Sequence, residues 1–201
     1  MMPLPNGFPV EIDKKVKESL DQYMQHLLEY NRKVNLVSRK ITPEALWQLI
    51  DETLMLEKYI LKDSIVDAGS GNGILGIPIA LLNPGKEVNL VESRMKKAFF
   101  LEETRRVMGL ENVRAHCCRI EDFMKRKSNR DISMIARGFP GIGLFVDFLE
   151  KGLVGEVILI TSENKIKKFE KDMVNVRKKT YNIQMRKNLK ILKMENVSRE
   201  T

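Results

Sequence analysis

The chain has 201 residues, 43% of them hydrophobic and 31% charged, with a formal net charge of +8. This composition is typical of globular proteins and excludes disordered and fibrous classes. It contains no apolar run near the ~18 residues of a membrane span and no continuous apolar stretch of a signal-peptide kind. With only two cysteines and two histidines, neither a secreted disulfide scaffold nor a zinc domain is expected. We expect the protein in a reducing cytoplasm.

The first sixty residues predict an irregular arm followed by helices. Prolines and a glycine punctuate residues 1–9, and apolar residues then recur at spacings of three and four from Val16 to Val34, which predicts an amphipathic helix. Thr42 followed by Pro43 is typical of an N-cap and the first position of a second helix. We expect residues 1–60 to form an N-terminal arm with a small helical subdomain.

From residue 61 onward the pattern predicts strands that alternate with helices. Strands are expected at residues 64–68, 88–92, 113–117, 132–136 and 156–160. Helices are expected after the glycine cluster at 69–76, from Ser93 as N-cap to Met108, and over residues 144–149. Such alternation indicates a parallel sheet covered on both faces.

The C-terminal part predicts a basic helix and a hairpin. Ile166, Phe169, Met173 and Val176 have the spacing of one apolar helix face, and residues 182–186 and 189–194 read as paired strands. We therefore expect residues 61–201 to form one α/β Rossmann-like domain. Its mostly parallel sheet has helices on both faces and ends in an antiparallel C-terminal hairpin.

The positive charge is concentrated in the same C-terminal stretch. Residues 165–193 contain eleven Lys or Arg and only two acidic residues, so the rest of the chain is close to neutral. A polyanion-binding surface needs such asymmetry, because nucleic-acid affinity comes largely from neutralised phosphates. A solvated helix face that keeps the protein soluble would have the same pattern.

The segment from Asp67 to Gly76 fits two cofactor motifs. Read from Gly71 it matches the dinucleotide fingerprint G-x-G-x-x-G, with Glu92 about 20 residues further on. Read from Gly69 it is an acidic residue followed by x-G-x-G-x-G, the pattern that holds S-adenosyl-L-methionine.

Charge and spacing favour S-adenosyl-L-methionine. A carboxylate at Asp67 disfavours a pyrophosphate but favours a cationic amino group and sulfonium. Glycines at 69, 71 and 73 would let the backbone approach the ligand. Glu92, at the end of the second strand, can accept hydrogen bonds from both ribose hydroxyls.

The whole segment from Asp67 to Pro78 resembles a family motif. Asp-Ala-Gly-Ser-Gly-Asn-Gly-Ile-Leu-Gly-Ile-Pro is similar to the glycine segment of the bacterial 16S rRNA guanine-N7 methyltransferases of the glucose-inhibited division protein B type. The Gly76-Ile77-Pro78 ending is its most specific part. Other matches follow in order, at Asn35-Leu36-Val37-Ser38, Glu92-Ser93, Lys96-Lys97 with Phe100-Leu101, residues 118–123, and Ala136-Arg137-Gly138-Phe139.

The resemblance implies a cofactor, a substrate and most of a site. It implies S-adenosyl-L-methionine contacts at Gly69, Ile74, Ile120, Glu121 and Arg137, and a ribose contact at Glu92. It also implies a guanine in a loop of 16S rRNA, free or in the small ribosomal subunit, as the substrate. We expect a cytoplasmic monomer with no metal.

No general base is expected, because guanine N7 carries a lone pair and no proton. RNA contacts are expected from basic residues after two of the strands and in the C-terminal stretch: Arg94, Lys96, Lys97, Arg137, Lys167, Lys168 and Lys171.

Three departures from the family pattern leave alternatives open. Where the family has His-Ile-Leu-Asp-Ser, this chain has Leu49-Ile50-Asp51-Glu52-Thr53. Where the family has Ser-Arg-Ala, it has Ala136-Arg137-Gly138, and where the family has Lys-Gly, it has Thr161-Ser162. These departures motivate an alternative function as a non-catalytic RNA-binding or cofactor-sensing relative. The register that begins at Gly71 leaves a nucleotide-dependent oxidoreductase as a further alternative.

Overall fold

A computed structural model describes residues 12–127, 131–169, 176–182 and 189–196. In these ranges the helices are Lys14–Asn31 (α1), Pro43–Glu57 (α2), Gly76–Leu82 (α3), Met95–Val107 (α4), Ile120–Arg126 (α5), Ile142–Glu150 (α6) and Glu163–Lys168 (α7). The strands are Ser64–Ala68 (β1), Glu87–Glu92 (β2), Val113–Cys117 (β3), Ile132–Arg137 (β4), Glu156–Ser162 (β5), Val176–Asn182 (β6) and Leu189–Asn196 (β7).

The strands form one sheet in the order β3-β2-β1-β4-β5-β7-β6. The first five strands are parallel, whereas β7 is antiparallel to both β5 and β6. The expected α/β fold, with a mostly parallel sheet and an antiparallel C-terminal hairpin, is confirmed. The strand order reverses between β1 and β4, so the crevice for a ligand is expected beyond the carboxyl ends of these strands.

The sheet is covered on both faces because successive side chains of each strand point to opposite sides. On β1, Ile65 belongs to a core cluster shared with α1–α4, whereas Val66 belongs to a second cluster shared with α5 and α6. The first two helices therefore pack into the same core as the sheet.

Local capping explains where α1 and α2 begin. The side chain of Asp13 accepts a hydrogen bond from the Val16 N–H, and Thr42 accepts one from the Ala45 N–H. Pro43 occupies the first turn of α2, as predicted, where its missing N–H costs no helical hydrogen bond. Among the described helices, none has the length and apolarity required to cross a bilayer.

Four local predictions were wrong. Ser93 does not cap α4; the helix begins at Met95, and the Arg94 N–H is held by Glu92 Oε1 at 2.8 Å. The seven-residue helix α5 was not predicted, because it is shorter than the window over which helical periodicity can be recognised.

The other two wrong predictions concern the C-terminal part. Val176 begins strand β6 instead of extending the basic helix, and the hairpin includes Val176–Asn182, which was not predicted as a strand. Residues 183–186 of the predicted hairpin strand lie outside the described residues. Buried Val176 packs against the second core cluster, so its apolar character serves the sheet and not a helix face.

Candidate functional site

A glycine loop, residues 69–75, follows β1 at the strand-order reversal. The N–H groups of Gly69 and Ser70 donate to the Val91 carbonyl at 2.9 and 3.1 Å, so the loop folds over the end of β2. Glu92 Oε2 accepts from the Gly71 N–H at 3.0 Å. Glu92 thus orients the loop as well as the start of α4, and each of its oxygens retains a lone pair for a ligand.

The glycines of the loop serve two different needs. Gly69, Gly71 and Gly73 all have positive φ, at 70°, 60° and 80°, where other residues are strained. Gly76 has ordinary φ, but a Cβ there would lie 2.1 Å from Leu90 Cδ2, so only glycine lets α3 pack this close to β2.

Asp67 is buried beneath the loop. Its Oδ2 accepts a hydrogen bond from the Gly76 N–H at 3.0 Å, which joins the end of β1 to the start of α3. Burial, with a smaller contribution from the charge of Glu92, raises the pKa of Asp67 to about 7 against the lowering effect of the Gly76 N–H and of Ser70. The carboxyl group therefore titrates near neutral pH.

The two N-terminal helices hold the outer side of the loop. Tyr23 of α1 donates its hydroxyl to the Asn72 carbonyl at 2.7 Å, and the Thr53 hydroxyl of α2 lies 2.8 Å from the Ile74 carbonyl. Burial, with a contribution from the charge of Asp67, raises the pKa of Tyr23 well above its usual value, so it remains a hydroxyl donor. The loop is thus fixed by strand and helix contacts before any ligand binds.

Two adjoining cavities open at this edge of the sheet. The larger has a volume of about 690 Å³ and the smaller about 240 Å³, and the larger lies within the range of small-molecule sites. Gly69, Lys97 and Arg137 line both cavities. The larger is also lined by residues after β2, β3 and β4, among them Glu92, Arg94, Ile120, Glu121, Phe139 and Leu144.

Arg137, the last residue of β4, is held by an ion pair with Glu52 of α2. Glu52 is buried, and Arg137 Nη1 is a buried donor with no hydrogen-bond partner among the described residues. Beside Glu52, burial raises the pKa of Asp51 to about 6, with the charge of Glu52 adding to the shift. An unused buried guanidinium donor at a cavity is a suitable partner for a carboxylate.

The structure brings most predicted cofactor residues together. Asp67, Gly69, Gly71 and Ile74 line the smaller cavity. Glu92, Ile120, Glu121 and Arg137 line the larger one. Gly73 lines neither cavity. A Cβ at this position would lie 2.8 Å from Ile77 Cγ1 of α3 and 2.9 Å from Leu101 Cδ2 of α4. Its part is to turn the loop, and its predicted contact with the cofactor remains a prediction.

Apart from Arg137, which lines both cavities, the predicted RNA contacts fall into two groups. Arg94, Lys96 and Lys97 lie at the start of α4, and two of them, Arg94 and Lys97, line the larger cavity. Lys167 and Lys168 lie on α7, where Lys167 pairs with Glu163 at 3.2 Å. Lys171 lies outside the described residues.

The departures from the family pattern have different surroundings. Leu49 lines the smaller cavity, whereas Ala136 is buried in the second core cluster. Ser162 caps α7 by accepting from the Lys165 N–H. Within the described ranges, no group of three or more potential metal ligands is clustered.

The chain is similar to known proteins over most of its length. The family model GidB, described as rRNA small subunit methyltransferase G, matches residues 16–200. A protein of Brachyspira hyodysenteriae named ribosomal RNA small subunit methyltransferase G is 31% identical over 182 residues, which are 89% of this chain and 87% of the relative. A protein of the same name from Nitrosococcus oceani is 34% identical over 140 residues, 70% of this chain and 63% of the relative.

Solved structures show the same fold at low identity. An O-methyltransferase from Bacillus cereus, solved in complex with SAH, has a TM-score of 0.62 and 16% identity over 92% of this chain and 96% of its own. A SAM-dependent methyltransferase from Aquifex aeolicus has a TM-score of 0.60 and 14% identity over 93% of this chain and 100% of its own. At these identities the likeness establishes the fold.

Proposed function

The chain belongs to the rRNA small subunit methyltransferase G family, and from this premise we propose that it transfers a methyl group from S-adenosyl-L-methionine to N7 of a guanine in 16S ribosomal RNA. The observation that carries the proposal is the cavity of about 690 Å³ at the carboxyl edge of the sheet. Glu92, the glycine loop and Arg137 converge on it from three different strand ends.

The residues present fit this cofactor. The unpartnered Nη1 of Arg137 is a donor for its carboxylate, and the remaining lone pairs of Glu92 can accept its ribose hydroxyls. Asp67 lines the smaller cavity and supplies negative charge near a cation. Ile120, Phe139 and Leu144 give the larger cavity an apolar wall for a base.

The bound cofactor supplies an electrophilic methyl group on a sulfonium sulfur. The chain need not remove a proton, because guanine N7 attacks through a lone pair. Its task is to orient the base, and well-oriented encounters lower barriers by ~7–11 kcal/mol. The loop is suited to that task, because Tyr23, Thr53 and Glu92 already fix its backbone.

A binding experiment tests the cofactor site. Gly71→Arg introduces a side chain at a positive φ in the lining of the smaller cavity, next to Gly69 and Lys97, which line both cavities. Gly109→Arg introduces the same side chain at a positive φ in open space after α4. Left-handed backbone costs a non-glycine residue roughly 1–2 kcal/mol, so the two variants are matched in strain. We expect calorimetric titration with S-adenosyl-L-methionine to show at least a tenfold loss of affinity for Gly71→Arg and none for Gly109→Arg.

A transfer experiment tests the reaction. Purified protein, small ribosomal subunits and methyl-labelled cofactor are expected to give labelled 7-methylguanosine after nuclease digestion of the RNA. A protein that binds the cofactor and the RNA but transfers no methyl group would be the non-catalytic relative instead. Absence of cofactor binding to the wild type would overturn the proposal altogether.

A further inference from the structure

Helix α4 exposes two large apolar side chains near the cavity. Met95 is 77% exposed and Phe99 is 64% exposed. They are four residues apart, so they are neighbours on one helix face. Among the described residues, only Leu61 and Val107 are comparably exposed large hydrophobic side chains. We call the Met95–Phe99 pair the α4 platform.

The α4 platform is continuous with the proposed active site. Met95 is the first residue of α4 and follows Arg94, which lines the larger cavity. Phe99 lies just over one helical turn, about 6 Å, further along the helix. Neither side chain lines the cavity itself, so the platform is placed for a nucleotide that neighbours the one in the cavity and not for the methylated guanine.

The charges beside the α4 platform lack a counterpart. Arg94, Lys96 and Lys97 stand at the N-terminus of α4, and the first turn contains no acidic residue. Positive charge is unfavourable there, because the helix dipole is itself positive at this end. No ion pair is found for these three side chains within the described part of the chain. A bound polyanion would remove this electrostatic penalty.

We propose that the α4 platform stacks an unpaired RNA base next to the methylated guanine, while Arg94 and Lys96 contact the flanking phosphates. This rests on the proposed function. An aromatic ring beside basic side chains is how proteins hold single-stranded RNA, since every base presents a face for stacking. A stable contact with a second copy of the chain would need about 800 Å² from each partner, which is far more than two side chains offer.

RNA binding by matched variants tests this inference. Phe99→Ala removes the ring, Phe99→Tyr retains it, and Val107→Ala removes a side chain that is 63% exposed on the same helix, outside the platform. The probe is a single-stranded RNA oligonucleotide containing 2-aminopurine, whose fluorescence falls when it stacks.

We expect Phe99→Ala to weaken RNA binding about tenfold, in the range found for loss of one stacked base, and to abolish most of the quenching. The KM for small ribosomal subunits should rise to a similar extent, with no change in cofactor affinity. Phe99→Tyr and Val107→Ala should behave as the wild type.

Several results would overturn the inference. One is an unchanged RNA affinity of Phe99→Ala. Another is full affinity and full quenching in Phe99→Leu, which would indicate apolar contact without stacking. A wild-type dimer in sedimentation that Phe99→Ala dissociates would assign the face to a second copy. Each is distinct from failure of the proposed function, in which the wild type itself binds no cofactor or transfers no methyl group.

Discussion

Two buried ion pairs lie at opposite edges of the same sheet. At the carboxyl edge, Arg137 at the end of β4 pairs with Glu52. At the amino edge, Glu156 at the start of β5 pairs with Lys193 of β7 at 2.8 Å. Both pairs join a buried carboxylate to a partly shielded cation, yet their remaining hydrogen-bonding groups differ.

The pair at the amino edge has more partners, although the ion pair with Lys193 is the one contact of Glu156 Oε2 among the described residues. Glu156 also accepts from the Leu61 N–H at 2.7 Å and from the Ser133 hydroxyl. Lys193 has three donors and three partners, since it also contacts Glu195 at 3.0 Å and the Tyr59 carbonyl at 3.1 Å. Burial lowers the pKa of Lys193, but the two carboxylates outweigh this effect and raise it.

The pair at the carboxyl edge is incomplete, because Arg137 Nη1 is buried without a hydrogen-bond partner among the described residues. Buried polar groups are nearly always paired, and Arg137 is the member of this pair that lines both cavities. We therefore expect the pair at the amino edge to contribute mainly to stability, and the pair at the carboxyl edge, which lies at the cavities, to contribute mainly to the proposed cofactor binding.

Removal of Lys193 should have the largest effect. Lys193→Met leaves Glu156 buried without its cation, and loss of one partner of a buried pair costs about 3–5 kcal/mol. We expect this loss in the free energy of urea unfolding, with unchanged cofactor affinity in the folded protein. The double variant Glu156→Gln, Lys193→Met should recover part of it. A loss below about 1 kcal/mol in Lys193→Met would mean that the pair does not stabilise the sheet.

Replacement of Arg137 by lysine should weaken cofactor binding and leave the free energy of unfolding nearly unchanged, which is the opposite of Lys193→Met. Arg137→Lys keeps the charge near Glu52 but loses the planar fork that can serve two carboxylates at once. Because a charged hydrogen bond contributes about 1.5–3 kcal/mol, calorimetry should show a roughly 10- to 100-fold weaker affinity for S-adenosyl-L-methionine. Stability should change by less than about 1 kcal/mol. Unchanged cofactor affinity would contradict the assignment of Arg137.

Asp67 should make stability fall with rising pH. Its pKa is raised to about 7 in the folded state, so the folded protein holds a proton that the unfolded chain loses near pH 4. The stability from this group is present below pH 4 and is lost as pH rises through 7.

Asp67→Asn removes that dependence. We expect urea unfolding at pH 8 to show the variant roughly 1–3 kcal/mol more stable than the wild type, with the difference vanishing by pH 4. The wild type should bind the cationic cofactor more tightly as Asp67 ionises between pH 6 and 8. Asp67→Asn should bind it more weakly and without this pH dependence. Parallel stability curves for both proteins across this range would contradict the shifted pKa.

The smallest effect is expected from the lysines of α7. Lys167 is exposed and already paired with Glu163. Changing Lys167, Lys168 and Lys171 together to glutamine should weaken RNA binding and lower its salt slope by up to about 2, near 0.7 for each lost phosphate contact. Cofactor affinity should not change. An unaltered salt slope would assign this charge to solubility.

Most of the strands and helices could be predicted from the sequence, because strand patterns and helix caps are signals that lie within a few residues. The bounds of β1 and β3, the Thr42 cap and the placement of Glu92 at a strand end all follow from short patterns. Ser93 was a wrong prediction because α4 begins at Met95, so Arg94 and not Ser93 occupies the N-cap position.

The residues that sequence reasoning missed act over long separations. Tyr23 reaches Asn72, and Thr53 reaches Ile74, through side chains that any helix could contain. Glu52 stood in a segment noted only as a departure from a family pattern, and its ion pair with Arg137 exists only when α2 packs against the sheet. The only available signal was the pair of adjacent acidic residues, Asp51 and Glu52, between apolar residues of α2.

The most direct test of the central claim is nucleoside mass spectrometry of 16S rRNA from cells with and without the gene. The proposed function predicts that one 7-methylguanosine disappears without the gene. It should return with the wild-type gene and with Gly109→Arg, but not with Gly71→Arg. An unchanged amount of 7-methylguanosine in the cells that lack the gene would contradict the account.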